Sequence, residues 1–418
     1  MHSAPPRRAA RLAAVASLAA LVLVCIAAAG PASLGAVAHP ATQSALLAQE
    51  VRDVAAAKAQ LSAPLPLRRG QAVPTPPTVI FKAPLRPHEV LGFIGTSGFA
   101  GVTAAELSAT SALVTGAVGM TPSGSLDQAS PGWGSLSNPG FASFVSTAHA
   151  QGDRVLLGVS GGSAAVIARL LRTAGASAGQ LSSAVSAALT ADHLDGVDLD
   201  IEGHNPANRA QFVRFVAAFA RGVRASDPSA QIALNVYPQS AAGSGFFNIR
   251  ALAGQVSDLF VMAYDMVDPG HASPNAPLLT PGLGLSDVQS AIQYSAIVPP
   301  SKLILDIPFY GYDFPAASGT PGAATTGAPE SVTYGAPGGI VAVGHQGLWD
   351  PTSLTPYYSF RRGKQWHQTW YDDPDSVALK VALASDLGLA GVGAWELGYE
   401  GTQTAMLRAL DGDSSPSR

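Results

Sequence analysis

The sequence predicts a (β/α)8 barrel with a small insertion between its seventh and eighth strands. Three observations predict it. From about residue 88 to residue 412, short apolar runs alternate with stretches of helical periodicity, the pattern of a parallel sheet covered by helices. The strand–helix units number eight, the number that closes such a barrel. Composition agrees: of 418 residues, 47% are hydrophobic and 12% charged, which suits a large buried core and excludes a disordered chain.

The strands are expected at Glu89–Gly95, Ala112–Met120, Arg154–Ser160, Leu194–Glu202, Gln231–Tyr237, Ser257–Asp265, Lys302–Tyr310 and Ala390–Leu397. The clearest intervening helix is Asn208–Arg224, where Phe212, Phe215, Val216 and Phe219 fall on one stripe. The stretch from strand seven to Pro374 is too long for a βα loop. It carries Trp349, Tyr357, Tyr358, Trp366, Trp370 and Tyr371. We read about 312–373 as an inserted subdomain walling one side of a cleft, with only Ala316–Ala328 expected to be a disordered loop.

The chain before the barrel has a different texture. Arg7, Arg8 and Arg11 precede an Ala/Leu/Val run from Leu12 to Ala29, and Ala36-Val37-Ala38 offers a cleavage site before His39, with Ala27-Ala28-Ala29 as another. Residues 1–38 therefore read as a signal peptide and the protein as secreted; an uncleaved membrane anchor at 12–30 is the alternative. Residues 39–87 read as a linker. Its first part, Ser44–Ser62, has the apolar spacing of a short helix, and Pro64, Pro66, Pro74, Pro76 and Pro77 stiffen the rest. Residues 413–418 are a tail. The single cysteine, Cys25, falls in the leader, so a cleaved chain has no disulfide and no thiol nucleophile. The net charge of −4 becomes −7 without the three leader arginines, which argues against a nucleic-acid partner. A monomer is expected.

The chemistry concentrates in Leu-Asp-Gly-Val-Asp-Leu-Asp-Ile-Glu, residues 194–202. Asp198, Asp200 and Glu202 are two residues apart, so a strand points all three the same way, while Val197, Leu199 and Ile201 face helices. Buried like charges repel, and at least one of the acids must take up a proton. Alternating acids also suit a hard cation or a solvated strand end. The β-branched flanks and Gly196 favour a core strand instead, and a carboxylic acid kept protonated near neutral pH.

The stretch matches Asp-x-x-Asp-x-Asp-x-Glu at Asp195, Asp198, Asp200 and Glu202, and in this it resembles glycoside hydrolase family 18, the chitinase family. Met262-Ala263-Tyr264-Asp265 is similar to the family's Met-x-Tyr-Asp, and Pro308-Phe309-Tyr310-Gly311 and Trp395 have counterparts there. The resemblance implies catalysis by Glu202, Asp200 and Asp198. Glu202 serves as general acid and base, Asp200 holds the substrate's acetamido nitrogen, and Asp198 shares a proton with Asp200. It further implies substrate contacts from Tyr264, Asp265 and Trp395, with no metal and no cofactor. Tyr310 reads equally as a cleft residue or as packing. Asp195 has the opposite strand parity and reads as structural, bonding backbone at the strand entrance. Ser160 departs from the family's Ser-x-Gly-Gly by one position, onto the other face, and would support the acids only if its strand bulged. The implied substrate is a polysaccharide containing N-acetylglucosamine, chitin or its oligomers. Alternatives are a peptidoglycan-directed N-acetylglucosaminidase, since the runs 393–398 and 370–373 look most like the cell-wall and spore-associated branch, and a barrel that binds carbohydrate without cleaving it.

Overall fold

The computed structural model describes residues 89–95, 98–280 and 285–412. The expected leader, linker and tail lie outside the described residues. Strands run in order β1 Glu89–Ile94, β2 Ala112–Val114, β3 Val118–Gly119, β4 Arg154–Ser160, β5 Gly196–Asp200, β6 Gln231–Val236, β7 Asp258–Met262 and β8 Leu303–Pro308. They continue with β9 Tyr310–Ala316, β10 Glu330–Thr333, β11 Leu348–Asp350, β12 Thr355–Arg362, β13 Gln365–Trp370 and β14 Gly391–Leu397. Neighbours in the first sheet follow β2-β1-β14-β8-β7-β6-β5-β4-β3, and β2 also pairs with β4, so eight parallel strands close into a barrel.

Alternation along each strand sorts side chains between two environments. Outward residues such as Val197, Leu199 and Ile201 join the layer under the helices, including the helix Arg209–Ser226 with its buried Phe212, Phe215, Val216 and Phe219. Inward residues form three tiers. The lower tier is charged: the Arg154 guanidinium donates to Glu89 and Gln231, and Gln231 Nε2 donates to Asp258 Oδ2 at 2.8 Å. The middle tier is an apolar plug of Leu91, Phe93, Ala112, Val114, Leu156, Ala233, Phe260 and Ile304. The upper tier, at the C-terminal ends of the strands, holds the acids and opens into the cleft.

Strand two departs from the single run expected over Ala112–Met120. It breaks at 115–117, because the Thr115 hydroxyl accepts the Gly158 amide at 3.0 Å and takes the place of a ladder bond. The insertion forms a five-stranded antiparallel sheet in the order β10-β9-β13-β12-β11 and starts at Tyr310, slightly before the expected 312. The expectation of disorder over Ala316–Ala328 is corrected. Ala316 ends β9, and the turns after it are tied down at the backbone: Gln368 Nε2 donates to Ser318 O at 3.1 Å, Ser359 Oγ to Gly319 O at 2.9 Å, and Thr326 N to Pro315 O at 2.8 Å. A Gly/Ala/Pro composition offers few side chains to bury, but partners on β12 and β13 supply the bonds instead.

The lower tier gives a stability prediction. Arg154→Met leaves the half-buried Glu89 and Asp258 without the guanidinium, and breaking such a network costs up to about 3–5 kcal/mol. Urea unfolding measures it; a variant as stable as the parent contradicts this role for the network.

Candidate active site

β5 places its acids in steps of increasing exposure. Asp198 is buried, Asp200 is half-buried, and Glu202, just past the strand end, is exposed. The register partners of Asp198 are Gly158 on β4 and Ala233 on β6. A Cβ at Gly158 would lie 2.4 Å from Thr115 O, so no larger residue fits there. Asn235 Nδ2 donates to Asp198 Oδ2 at 3.2 Å. The second carboxyl oxygen of Asp198, Asp200 Oδ1 and Asn235 Oδ1 are buried with no hydrogen-bond partner among the described residues.

Burial therefore governs the acids. It pushes Asp198 well above the usual carboxylate range, and the charges of Asp200 and Asp306 add to it against the Asn235 hydrogen bond. Asp200 is pushed up to about 7 by burial and by Glu202, again opposed by Asn235. Two such neighbours titrate as a unit, sharing protons across the neutral range.

The other walls come from the ends of β6, β7, β9 and β14. The cleft has a volume of about 390 Å³, and all the named candidates except Asp198 line it: Asp200, Glu202, Tyr264, Asp265, Tyr310 and Trp395. Asp198 lies just beneath, bonded to the lining residue Asn235. Trp395 packs on Phe93, with ring centroids 5.2 Å apart. Asp265 has φ of +56°, a left-handed conformation that few residues besides glycine, asparagine and aspartate adopt. It is pinned there from three sides. Its amide donates to Asn275 Oδ1 at 2.8 Å, and its Oδ1 accepts the hydroxyls of Tyr310 at 2.6 Å and Tyr312 at 2.7 Å. Both tyrosines belong to β9, so the insertion is fastened to the barrel mouth at this carboxylate. Tyr310 is thus at once a cleft residue and a packing residue.

Two sequence expectations concern support of the acids. Asp195 behaves as expected: its Oδ2 accepts the Val155 amide at 2.9 Å and meets His149 Nε2 at 2.7 Å. The expectation for Ser160 is corrected. It is the register partner of Asp200, and partners in a parallel pair share a face, so Ser160 lies on the acids' side without a bulge. Its hydroxyl accepts the Gly162 amide at 3.4 Å. Asn235 holds Asp198 instead.

Several residues of the cleft are not evident from local sequence. The Tyr237 ring stacks on His204, with centroids 5.1 Å apart and planes within 4° of parallel. Its hydroxyl lies 3.2 Å from His204 Nε2 and is raised by burial and then by the adjacent Glu202, to which it also hydrogen-bonds. Gln239 and Leu285 complete the rim. Asp306 did carry a signal: it is a lone polar residue inside an apolar strand, which a core tolerates only with a partner.

Comparison with known proteins follows this geometry. The glycosyl hydrolases family 18 model matches residues 91–400. The chain is 26% identical over 234 residues to di-N-acetylchitobiase of Mus musculus, covering 49% of this chain and 61% of that protein. It is 25% identical over 160 residues to the cortical fragment-lytic enzyme of Bacillus subtilis (strain 168), covering 37% of this chain and 34% of that one. The chain thus spans less than two thirds of the length of these curated relatives. The class V chitinase of Nicotiana tobaccum shares the fold, with a TM-score of 0.67 and 18% identity over 78% of this chain and 99% of that one.

The raised Asp200 carboxyl has a stability consequence. Its folded value of about 7 lies above the ordinary 3.8, so the native state holds its proton across a range where the unfolded chain has lost it. Native stability then falls as pH rises from about 4 through about 7, and the loss is complete above that. Asp200→Asn removes this penalty. The variant should melt above the parent at about pH 8 and close to it at about pH 4. Equal melting differences at both values contradict the shift.

Proposed function

The chain belongs to glycosyl hydrolases family 18, and from that premise we propose that it hydrolyses β-1,4-linked N-acetylglucosamine polymers by substrate-assisted catalysis. The observation that carries the reading is the graded exposure of the β5 acids. Glu202 stands in the open cleft, where it can exchange a proton with substrate, and the two aspartates stay beneath it with protons to share. Trp395 and Tyr264 line the same 390 Å³ space and supply an indole face and a hydroxyl for an N-acetylated pyranose.

In this mechanism Glu202 protonates the leaving glycosidic oxygen. The substrate's own acetamido oxygen attacks the anomeric carbon, and no side chain forms a covalent bond. Asp200 accepts a hydrogen bond from the acetamido N–H and balances the positive charge of the cyclic intermediate. Asp198 draws the shared proton away from Asp200 as that charge grows, which leaves Asp200 ionised. Glu202, now ionised, takes a proton from the incoming water, which opens the intermediate and leaves the β-configuration retained. A cell-wall N-acetylglucosaminidase is the second reading. It would use the same chemistry, and the similarity to the Bacillus cortical fragment-lytic enzyme supports it.

Two outcomes test the proposal. Glu202→Gln keeps shape and hydrogen bonding but has no proton to give, so turnover should fall about 10²–10⁴-fold with oligomer binding retained. A variant as active as the parent excludes Glu202 as the acid. The second test compares N-acetylglucosamine oligomers, their fully deacetylated counterparts and purified cell walls, with products read by mass spectrometry. Only substrates with the acetamido group should turn over, even at saturation, because a reactant and not merely a contact is missing. Comparable cleavage of deacetylated oligomers contradicts the mechanism, and the cell-wall arm separates the two substrate readings.

A further inference from the structure

One buried carboxyl at the barrel mouth has no part in the mechanism above. Asp306 projects inward from β8, in register with Met262 on β7 and Gly393 on β14, and is 0% exposed. Its Oδ2 meets the Tyr264 hydroxyl at 3.0 Å, and its Oδ1 has no hydrogen-bond partner among the described residues. Space for the carboxyl is made by Gly393: a Cβ there would lie 2.7 Å from Asp306 Oδ1. A strand that is otherwise Leu-Ile-Leu-x-Ile thus carries an acid whose one side-chain hydrogen bond is to a residue lining the cleft.

We propose that Asp306 is a positioning residue that fixes the sense in which the Tyr264 hydroxyl hydrogen-bonds into the cleft. A tyrosine hydroxyl has one proton. If Asp306 is ionised, Tyr264 donates that proton to it and offers the cleft only lone pairs. If Asp306 is neutral, its own O–H donates to the Tyr264 oxygen, and the tyrosine proton is free to meet a carbonyl oxygen such as that of an acetamido group. The surroundings favour the neutral acid. Burial pushes Asp306 up to about 8, with the Tyr264 and Ile307 hydrogen bonds opposing and the Asp200 charge adding. The titratable groups around it are Asp198 and Asp200 from β5, Tyr264 after β7 and, beyond Tyr264, Tyr310 from β9; β14 and β1 present Gly393 and Leu91. The arrangement is that of a carboxylic acid held neutral by its site so that it can donate a hydrogen bond.

This inference rests on the proposed hydrolysis for its activity readout, so the test carries a second, substrate-free readout. Asp306→Asn retains a donor in place of the neutral acid, while Asp306→Leu keeps the branching of the side chain and has none. On an N-acetylglucosamine tetramer, Asp306→Leu should lower kcat/KM about tenfold or more and Asp306→Asn about threefold or less. In a Tyr264→Phe background neither should lower it further, because the effect runs through that hydroxyl. Equal loss in both backgrounds, or an Asn variant as poor as the Leu variant, overturns the assignment.

The substrate-free readout is NMR of protein labelled at tyrosine Cζ, with the Tyr264 signal identified by its loss in Tyr264→Phe. That signal should move in Asp306→Leu and stay near the parent position in Asp306→Asn. One position in all three proteins overturns the inference. If the parent cleaves no N-acetylated oligomer, the proposed function fails and this spectrum decides the role of Asp306 by itself.

Discussion

Asp198, Asp200 and Asp306 converge on one side of a closed barrel, and each keeps a carboxyl oxygen that is buried without a hydrogen bond from the described residues. Repulsion between ionised carboxylates in a medium of low polarity, together with the cost of desolvating each one, prevents all three from being charged at once. Much of the upper barrel can be understood as accommodation of this fact. Protons stay in the floor of the cleft at pH values where exposed carboxylates are ionised. One polar side chain, Asn235, and one hydroxyl, Tyr264, are directed at the carboxyl oxygens.

The fold makes such a floor affordable by stacking unlike tiers inside the barrel. An apolar plug centred on Phe93, Phe260 and Ile304 separates the acids from the charged lower tier around Arg154. The guanidinium therefore cannot neutralise the upper carboxyls. The glycine at 393 gives the Asp306 carboxyl space that a larger side chain would fill. The inserted sheet closes the other side through the two tyrosine hydroxyls on Asp265, whose backbone is left-handed.

Much of this was legible in the sequence because it is local. The period-two acids of β5, the apolar alternation of the strands and the phenylalanine stripe at 212–219 each report their own environment, and the structure bears them out. The strand-end residues Tyr264, Asp265 and Trp395 were found by motif, and they do line one cleft. What escaped was set between segments. Asn235 meets Asp198 across 37 positions and Asp306 meets Tyr264 across 42, and no spacing rule connects them. The face of Ser160 depends on the register of β4 against β5, and the ordering of the segment after Ala316 depends on carbonyls bonded by side chains of β12 and β13. Neither register nor long-range backbone bonding can be read from composition.

The central claim is that this floor holds protons at neutral pH. Neutron diffraction from perdeuterated crystals grown at about pH 6, below the raised values of Asp200 and Asp306, locates those protons directly. The account predicts deuterium on a carboxyl oxygen of Asp198, of Asp200 and of Asp306, with the Tyr264 deuteron turned away from Asp306. Three bare carboxylates, with the Tyr264 deuteron lying between its oxygen and Asp306, would contradict it.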